Sequence, residues 1–271
     1  MQSSRHQAEN SSRYDSDVAP ATGFLETLRI DHGPLPLLGR FFAAGDMALA
    51  DKGISLTLGS LADALDTQMG NEASWHSFPP MLDVRLSGVG VDESYCLLGR
   101  DASGEVVTVQ CGRIYQGTQS LAAWVESGRF VYGSRPVGAD FQFKIASPSV
   151  QTIGGTFVYS GALWVHPRHR GSKLAGVLVR LSRAYALARW NTSYTIAFVS
   201  DAMADSPMPA IYGYRQLEPG VRVNLADGAT WSGLLMWMGR DELLSDLTSF
   251  LVDRLPQVDA GVVHRSTNQE L

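Results

Sequence analysis

The chain has 271 residues, of which 45% are hydrophobic and 18% charged, so it can bury the core of one large domain or two small ones. Its formal net charge of -5 and pI near 5.7 argue against a nucleic-acid partner, which usually selects a basic domain. No stretch approaches the roughly 18 apolar residues of a membrane span, and the polar N-terminus has no secretory signal. Only two cysteines, Cys96 and Cys111, are present, which favours a reducing, cytoplasmic location with free thiols.

Composition divides the chain into three expected segments. Residues 1–23 are rich in Ser, Asn, Asp and Arg and are predicted to be disordered, and 257–271 are predicted to be a loose tail. Residues 24–256 are predicted to form a single domain. An insert at about 116–155 is rich in turn residues but carries several aromatics, which indicates that it packs on the rest of the domain.

The first part of the domain predicts two helices and a hairpin. Apolar residues recur at helical spacing over 36–53, and Gly53 is a natural end for that helix. Ser60 is predicted to cap a second short helix, LADALDTQM. Two β-rich runs, SYCLLGR and EVVTVQCGRIY, flank the turn residues DASG. This hairpin would place Cys96 and Cys111 on its two arms.

The second part predicts a strand, a helix and another strand in succession. TFVYSGALWV ends just before Pro167, a helical pattern covers 172–190, and SYTIAFV reads as a buried strand. The helix has one apolar face, and Arg180, Arg183 and Arg189 are predicted on its polar side. This order calls for a right-handed crossover and parallel pairing of the two strands.

The remaining elements complete an α+β fold class. Asp227 and Gly228 separate two apolar runs and predict a second hairpin. DELLSDLTSFLVDRL follows as a helix whose early carboxylates suit the helix dipole. We therefore expect a mixed, mostly antiparallel sheet with one parallel crossover and helices on both faces. The apolar strand LLMWM and the C-terminal helix could form the surface of a homodimer.

Positive charge is concentrated in LWVHPRHRGSKLA, residues 163–175, which we call the elbow. The first N–H groups of a helix have no partner within the helix, and the helix dipole adds partial positive charge there. A glycine lets a phosphate approach such a backbone closely, and Arg168, Arg170 and Lys173 would add full charges around it. The elbow therefore predicts a phosphate or pyrophosphate site, with a solvated basic turn as the alternative.

The elbow resembles the acyl-coenzyme A motif of the GNAT-superfamily N-acetyltransferases. In that family a strand ending Leu-x-Val-x-Pro enters an Arg/Gln-x-x-Gly-x-Gly/Ala loop and then a helix. Arg170 matches the first loop position and Ala175 the last, whereas Lys173 stands where the family usually has its central glycine. The resemblance covers about residues 94–250. One hairpin precedes the elbow, and a Gly-Tyr pair and a second hairpin come after it, which is the order found in the family.

This resemblance implies a GNAT-like fold and an acyl-coenzyme A-dependent N-acyltransferase that uses acetyl-CoA. The acetyl group would pass directly to an amine of an unidentified acceptor, either a small molecule or a protein. The family binds the pyrophosphate through loop amides and the pantetheine arm through the strand end. The coenzyme-binding residues predicted in this way are Leu163, Trp164, Val165, Arg170, Gly171, Ser172, Lys173, Leu174 and Ala175.

The sequence matches the family less well at the expected catalytic positions than at the coenzyme-binding positions. The family's usual tyrosine acid lies four residues before the glycine of the Gly-Phe-like pair, and that position is Pro209 here. Tyr212, directly before Gly213, is the predicted substitute. The strand entering the elbow carries no carboxylate base; its polar residues are Tyr159, Ser160 and His166, and Asp92 or Glu93 at the mouth of the first hairpin could serve instead.

Two other functions stay open at this point. A longer acyl chain could enter a channel lined by the aromatics of the insert. Alternatively, a degenerate domain could act as a binding or assembly module without catalysis, as Lys173, Pro209 and the missing carboxylate suggest. No metal site is expected, because His166 and His169 pair without a nearby Cys or carboxylate.

Overall fold

The structure is a computed structural model. It describes residues 22–75, 77–134, 142–224 and 230–254. The disorder predicted at the N-terminus, the loose tail after residue 256 and the turn at Asp227 and Gly228 therefore fall outside the described residues, apart from residues 22 and 23.

Eight strands form one sheet. They are β1 Ser55–Gly59, β2 Ser94–Arg100, β3 Val106–Tyr115, β4 Gln142–Ile145, β5 Phe157–Val165, β6 Tyr194–Ser200, β7 Gln216–Asn224 and β8 Thr230–Gly239. Their order across the sheet is β1-β2-β3-β5-β6-β8-β7-β4. Neighbouring strands are antiparallel except β5 and β6, which are parallel. The predicted fold class is confirmed.

Helices cover both faces of this sheet. They are α1 Phe24–Thr27, α2 Leu35–Ala50, α3 Leu61–Met69, α4 Val84–Ser87, α5 Leu121–Glu126, α6 Arg129–Tyr132, α7 Leu174–Trp190, α8 Asp201–Ala204, α9 Met208–Ile211 and α10 Arg240–Arg254. The first hydrophobic cluster joins α2, α7 and α10 to one face, and the second joins α3, α5 and α6 to the other. Of the helices described, none is long and apolar enough to cross a membrane.

Local signals explain the elements of the first part. The Ser60 hydroxyl accepts a hydrogen bond from the Asp63 N–H, and the Asp63 carboxylate accepts one from the Ser60 N–H, so a capping box begins α3 as predicted. The β2–β3 hairpin is also confirmed. Its register sets Cys96 directly opposite Cys111, and both are buried free thiols with their Sγ atoms 2.9 Å apart.

The insert contains a strand that its turn-rich sequence does not predict. β4 has only four residues, and it exists because it pairs with β7, from Gln142 opposite Asn224 to Ile145 opposite Val221. The aromatics of the insert pack as expected. Phe130 is buried and stacks on Tyr115, with 4.8 Å between the ring centroids.

One expectation for the second part is wrong. The sequence predicts Arg183 on the polar side of α7, but its side chain is fully buried because α10 covers it and Asp246 pairs with it at 3.0 Å. The homodimer surface on LLMWM and the C-terminal helix stays a prediction. LLMWM lies in β8, which pairs with β6 on one side and β7 on the other, and Leu235, Met236 and Met238 are buried within the chain.

Candidate functional site

β5 and β6 separate after the third of the nine residues of β5. They share only three residue pairs, the last being Tyr159 opposite Ile196, while β5 stays bonded to β3 and β6 to β8. A bulge accompanies the divergence: Ala162 has a φ of 54°, and the Gln110 side chain donates a hydrogen bond to the Gly161 carbonyl at 3.0 Å. Because bulges bend and twist a strand, the two parallel strands form an open fork.

A cleft of about 1010 Å³ opens at this fork. Its walls come from the end of β5, the elbow, the first turns of α7, the α8–α9 region and the C-terminal turns of α10. All nine predicted coenzyme-binding residues line the cleft, and so does Tyr212. The fold thus brings together residues that the sequence separates by about 50 positions.

The elbow presents unbonded backbone donors to the cleft. The sequence predicts a helix from Ser172, but α7 begins at Leu174 because Lys173 adopts left-handed angles, with φ 63° and ψ 12°. Gly171 is also left-handed, with φ 79°. No atom of the described chain accepts a hydrogen bond from the N–H groups of Gly171 through Ala175. Five donors at a helix start therefore remain available to an anion.

The side-chain charges of the elbow are arranged differently from the expectation. Arg168 turns away from the cleft and pairs with Glu105 at 2.6 Å on the β2–β3 turn. Arg170 lines the cleft, but its guanidinium donates to the carbonyls of Val165 and Ser74, each at 3.1 Å. The Lys173 ammonium has no hydrogen bond or ion pair within the described residues. Of the three predicted charges, only that of Lys173 is free.

Left-handed backbone at a lysine is strained, so Lys173→Gly is expected to stabilise the fold. The left-handed conformation costs about 1–2 kcal/mol for a residue with a Cβ, and the extra freedom of glycine in the unfolded chain offsets about 0.5–1 kcal/mol of the relief. The free energy of unfolding should rise by about 0.5–1 kcal/mol in urea denaturation. Ser172→Gly is the control, since Ser172 has no left-handed angle to relieve; equal gains in both variants would contradict the strain.

Tyr212 follows α9 and lies at the inner wall of the cleft. Only 9% of the residue is exposed, and this burial raises its pKa to about 12. Its hydroxyl makes no hydrogen bond within the described residues, so at neutral pH it is a protonated donor without a partner. Pro209, at the position of the family's usual acid, is buried.

A network of two arginines and one carboxylate, which no local sequence pattern predicts, supports this wall. Asp246 accepts hydrogen bonds from Arg180 Nε and Nη2, each at 2.9 Å, and from Arg183 Nη2 at 3.0 Å. Arg180 also donates to the Ile211 carbonyl at 2.9 Å, which ties α7 to α9. Gly213 has φ 80°, and a Cβ there would lie 2.5 Å from Asp246. The available signal was the spacing of the two arginines, three residues apart on one helix.

The other candidate polar residues lie outside the cleft. His166 Nδ1 accepts a hydrogen bond from the Arg168 N–H and so caps the short turn after β5. Ser160 accepts from Gln110, and Asp92 and Glu93 are exposed in a turn before β2. The described lining of the cleft contains no carboxylate. Within the described ranges, no group of three His, Cys, Asp or Glu side chains could hold a metal ion.

No protein-family model and no curated protein matches the sequence. Similar solved structures include mutant forms of the spermidine/spermine N-acetyltransferase SpeG from Vibrio cholerae, with 9% identity, 72% of this chain and 98% of that chain covered, and a TM-score of 0.41. RimJ from Mycobacterium smegmatis in complex with CoA-disulfide has 13% identity, 73% and 88% coverage and a TM-score of 0.41. AAC(6')-Ib with ribostamycin and coenzyme A has 13% identity, 70% and 95% coverage and a TM-score of 0.40.

The topology of the chain itself decides the fold. A mostly antiparallel sheet contains one parallel pair, that pair opens into a fork, and a helix begins at the fork after the elbow. These are the features that the resemblance of the elbow implies. The chain has a GNAT-like fold. Within this fold, β5, the elbow and α7 are the strand, loop and helix whose sequence resembles the acyl-coenzyme A motif.

Proposed function

We propose that the protein is an acyl-coenzyme A-dependent N-acyltransferase that transfers acetyl from acetyl-CoA to an amine of an acceptor. The observation that carries this proposal is the cleft at the fork, with five unbonded N–H groups at the start of α7. A pyrophosphate supplies several anionic oxygens, which such a helix start binds through hydrogen bonds and its dipole. The free Lys173 ammonium adds a full charge beside these donors.

The end of β5 suits the remaining, uncharged arm of the coenzyme. Leu163 and Val165 lie beyond the last β5–β6 pair, on the part of β5 that does not pair with β6. An unpaired strand edge offers N–H and C=O groups to an extended partner, as in peptide recognition by strand addition. The pantetheine arm contains two amides in an extended chain and would bind here, with Trp164 and Leu174 as apolar walls.

The chain would then act mainly by positioning the reactants. A thioester supplies an acyl group that is already activated. The acceptor amine forms a C–N bond to the acyl carbon while the C–S bond breaks, and the proton that the amine loses ends on the thiol. Tyr212 keeps its own proton at neutral pH, since its pKa is about 12, and donates a hydrogen bond to the sulfur as negative charge develops there.

Isothermal titration with acetyl-CoA tests the proposal. We expect saturable binding with a dissociation constant in the micromolar range, and weaker binding to Lys173→Met, because the elbow loses its free ammonium. No binding at millimolar acetyl-CoA would overturn the proposal. Decanoyl-CoA in parallel tests the longer-chain alternative: the described aromatics of the insert, such as Phe130, lie outside the cleft lining, so the longer chain should gain no affinity.

A binding module without catalysis is the second candidate. It is favoured by Pro209 in place of the usual acid and by the absence of a carboxylate from the described lining of the cleft. The two functions separate in a coupled experiment. If acetyl-CoA binds and no member of an amine library is acetylated, the chain is a binding module; acetylation of any amine with release of free thiol supports the enzyme.

A further inference from the structure

A second cation reaches the cleft from a different part of the fold. Arg254, in the last turn of α10, lines the cleft together with the elbow. Arg170 and Arg180 line it too, but Arg170 is bonded to two carbonyls and Arg180 to Asp246. Within the described residues, Arg254 has no carboxylate partner. Lys173 and Arg254 are therefore the arginine or lysine side chains of this lining whose charge is not already engaged.

Packing holds the Arg254 guanidinium at the wall of the cleft. Its central carbon lies 4.5 Å from the centroid of the Phe250 ring, and Phe250 is one helical turn earlier on the same face of α10. Phe250 is itself fixed by an edge-on contact with Phe41, with 5.4 Å between the centroids. Arg180 stands over the same ring at 5.6 Å. The guanidinium thus has a defined place and free N–H groups.

The elbow and Arg254 occupy different places along the wall of the same cleft. Arg180 lies about 9 Å along the axis of α7 from Leu174, where the unbonded N–H groups are. Phe250 and Arg254 lie beside Arg180. A ligand that binds both the elbow N–H groups and Arg254 must carry two anionic groups separated by several ångströms. Coenzyme A does so, because a ribose separates its pyrophosphate from a 3′-phosphate.

We infer that Arg254 binds the 3′-phosphate of coenzyme A and makes the cleft selective for the phosphorylated coenzyme. This inference rests on the proposed function, because it takes the pyrophosphate to lie at the elbow. A phosphate monoester carries nearly two negative charges at pH 7, and the planar guanidinium matches its oxygens with two parallel hydrogen bonds. The pyrophosphate would then bind backbone donors at the elbow, and the 3′-phosphate would bind one side chain on α10.

Titrations with coenzyme A and with 3′-dephospho-coenzyme A test this assignment. The wild-type protein should bind coenzyme A about fivefold more tightly, the value expected for a solvent-accessible charge pair. Arg254→Met should lose that preference by weakening coenzyme A binding alone, and Arg254→Lys should keep part of it. Arg222→Met on β7, an exposed arginine outside the cleft lining, is the matched control and should leave both affinities unchanged.

Each other outcome overturns the inference in a recognisable way. If Arg254→Met keeps the preference for coenzyme A, the 3′-phosphate lies elsewhere, and the proposed function still stands. If the variant lowers the affinity for both ligands equally, Arg254 stabilises the cleft without contacting that phosphate. If the wild-type protein binds neither ligand, the proposed function fails and this inference fails with it.

Discussion

Replacing Asp246 by alanine is expected to destabilise the fold by about 3–5 kcal/mol. Its carboxylate pairs with Arg180 and with Arg183, and the Arg183 side chain is completely buried. Two further nitrogens of Arg183, Nε and Nη1, are buried without a hydrogen-bond partner. The alanine variant would leave this guanidinium in the core with no counter-charge, which costs far more than the lost attraction of an exposed pair.

Urea denaturation followed by circular dichroism measures the effect. Asp253→Ala is the control, because Asp253 is an exposed carboxylate on the same helix and its removal should change the free energy of unfolding by less than about 0.5 kcal/mol. The loss in the free energy of unfolding for Asp246→Asn should lie between those of the two alanine variants, since an amide keeps one oxygen as an acceptor. A loss below about 1 kcal/mol for Asp246→Ala would contradict the view that this carboxylate neutralises a buried cation.

Tyr212→Phe is expected to lower kcat for acetyl transfer about 100-fold, the lower end of what one hydrogen-bond donor to developing negative charge contributes. The phenylalanine keeps the ring and its packing, so the KM for acetyl-CoA should change less than about threefold. Tyr194→Phe is the control, because Tyr194 lies on β6 outside the cleft lining. A fall in kcat of less than threefold for Tyr212→Phe would show that the Tyr212 hydroxyl takes no part in the reaction.

Under the proposed function, the pH dependence of acetyl transfer by the wild-type protein gives a separate check on Tyr212. A hydroxyl whose pKa is raised to about 12 stays almost wholly protonated up to about pH 10. The rate should therefore rise with pH as the acceptor amine loses its proton, and it should show no loss on the alkaline side up to about pH 10. An alkaline loss near pH 9 that disappears in Tyr212→Phe would mean that the hydroxyl titrates in the working range.

Sequence patterns predicted the parts of the fold whose causes are local. Ser60 caps α3 through Asp63, three residues away, and the turn residues between β2 and β3 make the hairpin. The elbow was also found locally, because its charge, its glycine and its strand-to-helix position lie within thirteen residues. The cleft could not be predicted in this way, because it forms where β5 and β6 diverge. That divergence accompanies the bulge at Ala162, and no residue pattern in the sequence indicates the bulge.

Long-range partners account for what the sequence did not predict. Arg183 looked like a surface residue because Asp246, its partner, is 63 positions away on α10. β4 exists through pairing with β7, and β8 became an interior strand through its neighbours on both sides. At the elbow, Arg168 was expected near a phosphate, yet Glu105 on a neighbouring turn holds it away from the cleft.

A crystal structure of the protein with acetyl-CoA is the most direct test of the proposed coenzyme site. We expect the pyrophosphate oxygens to accept hydrogen bonds from the N–H groups between Gly171 and Ala175, with Lys173 still left-handed. We also expect the thioester to lie in the fork within reach of the Tyr212 hydroxyl. Electron density for the coenzyme at any other place on the protein, with the elbow amides bonded to water alone, would contradict it.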